Sequence, residues 1–226
     1  MRLLSNESAT PTARAIRIAL DGAAFRYRAG QAASLATAAG DLPTPYSIAS
    51  APAETARDGA LEFLVKVDGS NRFGAIVERL LPGTALQVVG PAGNFTLPDP
   101  APAALLFVAG GTGIAPVRSM IRECIETGQE SRLALVYSAR TPAEFAYLPE
   151  LRELAEAGRL ALTLTLTGAA EEWRHARGRT GPAHLSDLVT PDTLTYICGP
   201  PAMVADLPAA LVSLGLPRTQ IRTEDW

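Results

Sequence analysis

The stretch Gly110-Gly111-Thr112-Gly113-Ile114-Ala115-Pro116 stands directly behind the apolar run Leu105–Ala109 and ahead of a helical pattern. Glycines there let the backbone turn sharply and approach a ligand closely, while the free N–H groups and the dipole at a helix start attract phosphate oxygens. Pro116 suits the first turn, where no N–H is needed. Tight strand-to-helix packing would use the same glycines. A second candidate is Tyr46-Ser47, which offers a flat aromatic face beside a hydroxyl donor and acceptor; a strand tyrosine capping a core would read alike. The third is Cys198, at the end of an apolar run and just before Gly199-Pro200-Pro201. A buried cysteine is commonly a small apolar filler, which is how Cys124 reads. The last is the ending Thr223-Glu224-Asp225-Trp226, a carboxylate and an aromatic ring that could equally be a tail.

Other chemistries find no support. The only histidines are His175 and His184 and the only cysteines Cys124 and Cys198, so no metal site, nucleophile triad or four-thiolate cluster is expected. A net charge of -3 gives no basic footprint for nucleic acid or anionic lipid. No signal-peptide core and no uninterrupted apolar run of membrane-spanning length occur, so a cytoplasmic protein without membrane insertion is expected. At 226 residues, with 47% hydrophobic and 19% charged, the chain is an ordinary globular protein of one large domain or two small ones.

Two rhythms must position these residues. From about Arg14 to Leu97, short strands over Ala15–Leu20, Ala33–Ala36, Tyr46–Ser50, Leu61–Val67 and Ala85–Val89 are punctuated by Gly30, Pro43, Pro52, Gly59, Pro82-Gly83 and Gly90-Pro91, the pattern of an antiparallel barrel. One helix, Phe73–Leu81, is expected within it from the spacing of Phe73, Ile76, Val77, Leu80 and Leu81. The stiff stretch Pro98-Asp99-Pro100-Ala101-Pro102 reads as a boundary, giving domains over 1–98 and 103–226. Beyond it, strand candidates at Leu105–Val108, Leu133–Tyr137, Leu160–Leu166, Thr195–Cys198 and Gln220–Thr223 alternate with helices at Val117–Glu126, Leu148–Ala157 and Ala202–Leu214. Continuous apolar strands alternating with helices imply an α/β doubly wound parallel sheet that binds ligands at the carboxyl ends of its strands.

Barrel first and nucleotide fold second, with Pro45-Tyr46-Ser47-Ile48-Ala49-Ser50, the Gly-Gly-Thr-Gly-Ile-Ala-Pro turn and Cys198-Gly199-Pro200-Pro201-Ala202-Met203 in that order, resembles the ferredoxin–NADP reductase family over essentially the whole chain. The resemblance implies an FAD-binding barrel joined to an NAD(P)-binding domain, with hydride passing from nicotinamide to flavin. It gives Tyr46 the flavin face, Ser47 the neighbourhood of the reacting flavin nitrogen, and Cys198 the positioning of the nicotinamide. Glu224 would join the proton network and Trp226 would shield the flavin or its adenine. Ile48 and the turn Gly69-Ser70-Asn71-Arg72-Phe73-Gly74 would line the FAD site, and Gly111, Thr112, Gly113, Pro116, Arg140, Cys198, Gly199, Pro200 and Met203 the dinucleotide site.

Two positions depart from the family pattern. Thr44 stands where an arginine usually holds FAD phosphate, and Gly74 where a hydroxyl usually does, so FAD binding weaker than the family norm is expected. Thr167-Gly168 replaces the hydroxyl–arginine pair common in NADPH-preferring members. Arg140, Arg174, Arg177 and Arg179 are near in sequence, and NADH is the expected donor. Reduced flavin would pass electrons to an external acceptor, protein or small molecule: a ferredoxin, a flavodoxin, an oxygenase component or free flavin. The alternative is a non-catalytic nucleotide-binding or regulatory subunit that has lost tight flavin binding.

Overall fold

Alternating apolar residues build the first half into paired strands. The computed structural model describes residues 1–37, 42–69 and 72–225. Among these, strands β1 (Arg2–Thr10), β2 (Ala13–Ala19) and β5 (Ala60–Lys66) form one antiparallel sheet in the order β1-β2-β5, and β3 (Ala32–Thr37), β4 (Thr44–Ser47) and β6 (Leu86–Ala92) a second in the order β4-β3-β6. Bridges Arg2↔Ala85 and Ile48↔Phe63 join the two sheets into a barrel. Its core holds Ile16, Ile18, Leu35, Ile48, Leu61 and Phe63.

Three elements of this half differ from expectation. Strand β1 has only Leu3 and Thr10 buried and two register shifts against β2, so its sequence lacks the alternation that announces a strand. Helix α1 (Pro52–Asp58) adds a second helix: Pro52 opens it, Glu54 reaches back to the Ala51 N–H at 2.8 Å, and Gly59 ends it at φ +63°. Helix α2 (Arg72–Val77) is shorter than its apolar period. The Asn6 amide takes the carbonyls of Val77 and Leu80 at 2.7 and 2.8 Å, which closes the helix end and leaves Leu81 exposed.

The second half is a six-stranded parallel sheet, order β10-β9-β8-β7-β11-β12, made of β7 (Ala104–Gly110), β8 (Arg132–Ala139), β9 (Ala161–Leu166), β10 (Ala176–Arg177), β11 (Thr193–Gly199) and β12 (Ile221–Asp225). Helices α3 (Ile114–Glu126), α4 (Leu148–Glu156), α5 (Pro182–Leu185) and α6 (Pro201–Ser213) connect them, and the two-residue β10 and four-residue α5 are too short to be periodic in sequence. Every residue of β7 and β11 is buried, as befits strands covered on both faces. The chain order reverses between β7 and β11, so their carboxyl ends flank the crevice where open α/β sheets take ligands.

By contact the chain falls into two compact units, Met1–Leu97 with Arg118–Thr127, and Pro98–Val117 with Gly128–Trp226. The later turns of α3 thus group with the barrel through a buried ionic cluster. Arg118 straddles the Glu54 carboxylate at 3.1 and 3.2 Å and reaches the Ala49 carbonyl at 2.8 Å, and Arg122 approaches Glu54 at 3.1 Å. No helix among the described residues is long and apolar enough to cross a membrane.

Candidate active site

In the barrel, β4 pairs with β3 so that Tyr46 and Ser47 lie opposite Ala33 and Ala32. Tyr46 is buried against Phe73, ring centroids 5.6 Å apart, and burial pushes its phenol up to about 12, so it stays protonated. The Ser47 Oγ is buried without a hydrogen-bond partner among the described residues. A buried hydroxyl of this kind costs free energy unless something supplies a partner, and the polar edge of a bound ring would do so. Ile48 is fully buried and its N–H bonds Gln31 O at 2.9 Å. Thr44 turns its hydroxyl onto the Leu42 carbonyl at 3.3 Å, within its own turn. Gly69, at φ +81°, precedes Arg72, which is exposed, and Phe73 and Gly74, which are buried. Ser70 and Asn71 lie outside the described residues.

In the parallel sheet, the Gly111–Gly113 segment forms one 3-10 turn between β7 and α3, and Pro116 sits in the first turn of α3. A Cβ on Gly113 would stand 2.3 Å from the Cys198 carbonyl oxygen, and one on Gly199 would stand 2.8 Å from the Met203 sulfur. A Cβ on Gly110 would meet Pro200 at 2.8 Å. These glycines let the ends of β7 and β11 interlock, which brings Gly110, Gly113, Cys198, Gly199, Pro200 and Met203 together. Gly111 differs: at φ +54° it has nothing near its missing side chain, so the turn has an open side where an anion can approach.

Cys198 is fully buried in β11 and lies in register with Glu224 of β12. The Glu224 Oε2 is buried and unpartnered among the described residues, and burial, followed by the charge of Asp225, raises its carboxyl from 4.5 to about 7. The folded state therefore holds this proton to higher pH than the unfolded chain. The favourable contribution is complete below about pH 4.5 and is lost as pH climbs through about 7. Glu224→Gln is expected to flatten the fall of stability across that window in urea unfolding at stepped pH; an unaltered slope would contradict it. Trp226 lies outside the described residues.

Of the nearby arginines, Arg177 closes its own loop onto the Ala170 and Trp173 carbonyls at 2.5 and 2.9 Å, and Arg179 approaches Asp206 at 3.5 Å on the exposed surface. Arg140 and Arg174 are exposed. Gly168 donates its N–H to the Arg140 carbonyl at 3.0 Å, and a Cβ there would stand 2.3 Å from that oxygen, so the backbone of Arg140 occupies the space of a side chain at 168.

Residues 107–208 match the oxidoreductase NAD-binding domain family. Over 221 residues the chain is 34% identical to ferredoxin–NADP reductase B of Sorangium cellulosum, covering 91% of this chain and 88% of the relative. The chain belongs to the ferredoxin–NADP reductase family. It is an oxidoreductase of the FAD-dependent NAD(P)H reductase type. The propane 2-monooxygenase reductase component of Mycolicibacterium smegmatis is 30% identical across 80% of this chain, which spans only 53% of that relative. The crystal structure of a ferredoxin NADP+ reductase from Neisseria gonorrhoeae with bound FAD and NADP superposes with a TM-score of 0.84 at 25% identity, covering 99% of this chain and 96% of that one.

Sequence reasoning passed over Tyr137, whose hydroxyl donates to the Gly111 carbonyl at 3.0 Å and accepts from the Ala146 N–H at 3.2 Å. An apolar strand pattern hides a tyrosine, since its ring satisfies the pattern and its hydroxyl leaves no trace in it.

Proposed function

We propose that residues 1–98 hold FAD, that residues 103–226 hold NADH in preference to NADPH, and that electrons leave to an external acceptor. The observation that carries this reading is the convergence of the Gly110–Gly113 turn and Cys198-Gly199 at the ends of adjacent strands β7 and β11, where the strand order reverses. Bound FAD supplies the hydride acceptor and the store from which electrons pass onward. The chain's own residues do the rest. Tyr46 packs one ring face, Ser47 gives its unpartnered hydroxyl to a polar edge, and Cys198 sets the nicotinamide pose once the groups covering it move aside. Glu224, half-charged near neutrality, holds or releases a proton nearby.

Three observations support the finer choices. Thr44 gives its hydroxyl to its own turn, which supports an FAD grip without a cation there. The Arg140 backbone fills the place of a side chain at 168, and Arg177 is occupied by its loop, which supports NADH as donor. The relatives named as reductase components of oxygenase systems support a protein acceptor. A cytoplasmic site of action belongs to the same reading.

The test is to release and identify the flavin from purified protein, titrate it with FAD, and compare NADH with NADPH as reductants. FMN, or no flavin uptake at micromolar FAD, contradicts the reading, the latter in favour of a non-catalytic nucleotide-binding subunit. Cys198→Ala is expected to slow flavin reduction at saturating NADH by about tenfold while leaving dinucleotide affinity within about twofold, because the thiol acts only in the reactive pose. Stopped-flow reduction reads it, and an undiminished rate would return Cys198 to a packing role.

A further inference from the structure

We propose that Tyr137 is a positioning residue for the dinucleotide, fixing the peptide that presents the Thr112 N–H to the pyrophosphate. This rests on the dinucleotide reading of the Gly110–Gly113 turn.

Tyr137 stands in β8, fully buried, with Phe145 edge-on at 5.0 Å and Trp173 stacked on Phe145 at 5.6 Å, so its ring has one place to be. Its oxygen accepts the Ala146 N–H, which leaves its single proton for the Gly111 carbonyl. Burial raises the phenol far above its usual range, so that proton stays on. The Gly111 carbonyl accepts a second bond from Ile114 N–H, which fills both of its lone pairs.

Across a trans peptide the carbonyl and the next N–H point in opposite directions. Pinning the Gly111 carbonyl toward Tyr137 therefore turns the Thr112 N–H to the other side of the turn. The first N–H groups of a helix lack partners within it, and these are the donors an anion takes. Gly111, exposed and at positive φ, has no side chain to fix its conformation, so the bonds that Tyr137 and the Ile114 N–H make to its carbonyl set which way the peptide faces. The phenol and the anion are thus on opposite ends of one peptide dipole.

Tyr137→Phe keeps the ring and removes only the hydroxyl. The KM for NADH is expected to rise about tenfold with kcat within about twofold, the scale of one hydrogen bond. Flavin reduction by N-benzyl dihydronicotinamide, a hydride donor without phosphate, is expected to be unchanged. An unaltered NADH KM, or an equal loss with both donors, would overturn the inference. In case the variant does not fold, amide hydrogen exchange of the wild type with ADP-ribose is expected to protect Thr112, and unaltered exchange there would also overturn it. Wild-type protein whose flavin NADH does not reduce would refute the dinucleotide reading itself, a result distinct from either.

Discussion

Replacing Glu54 by alanine is expected to lower the unfolding free energy by about 3–5 kcal/mol, the cost of removing the carboxylate from a buried ion pair. The carboxylate receives Arg118 in a two-point grip, Arg122 at 3.1 Å and the Ala51 N–H at 2.8 Å, and both Glu54 and Arg118 are buried. Its removal takes both carboxylate bonds from the buried Arg118 guanidinium, which keeps its bond to the Ala49 carbonyl. Because the pair is buried, salt should screen it weakly, so the loss should persist at high ionic strength. Urea unfolding at low and high salt reads both expectations. A loss below about 1 kcal/mol would assign the cluster to the class of exposed ion pairs that contribute little.

Gly113→Ala is expected to lower kcat/KM for NADH by about a hundredfold or more. The added carbon would stand 2.3 Å from the Cys198 carbonyl oxygen and 2.9 Å from the Gly199 nitrogen, both backbone atoms that cannot swing away. Relieving the clash moves the turn and the end of β11 apart by about 1 Å, a displacement large enough to cost on that scale when it separates groups that hold one substrate. The same substitution at Gly111 meets no atom, so its effect should come from backbone conformation alone, at φ +54°. Steady-state kinetics with NADH measures the Gly113 effect. A near-normal kcat/KM in Gly113→Ala would mean that the ends of β7 and β11 do not jointly hold the dinucleotide.

The parallel sheet was legible because each central strand is an apolar run bounded by turn residues, and because Gly110–Gly113 and Cys198-Gly199 sit where such runs end. The barrel was less so. Helix α1 was hidden because its capping residues, Pro52 and Gly59, are the same residues that mark turns, and seven residues give too little periodicity to tell the two apart. Strand β1 was hidden by an edge sequence with little to bury. The contacts of Glu54 and Tyr137 join residues distant in sequence, 64 positions for Arg118 and Glu54, and no local pattern carries such a pairing. The sequence shows that position 168 carries no arginine, and the fold adds why a side chain has no room there: the Arg140 backbone fills the space.

Hydride transfer from NADH to a flavin held by this chain can be followed by anaerobic stopped-flow mixing of the FAD-loaded protein with NADH. Rapid, saturable bleaching of the flavin's visible absorbance is expected, slower or weaker with NADPH. A protein that takes up FAD but stays oxidised under saturating NADH and NADPH would contradict it.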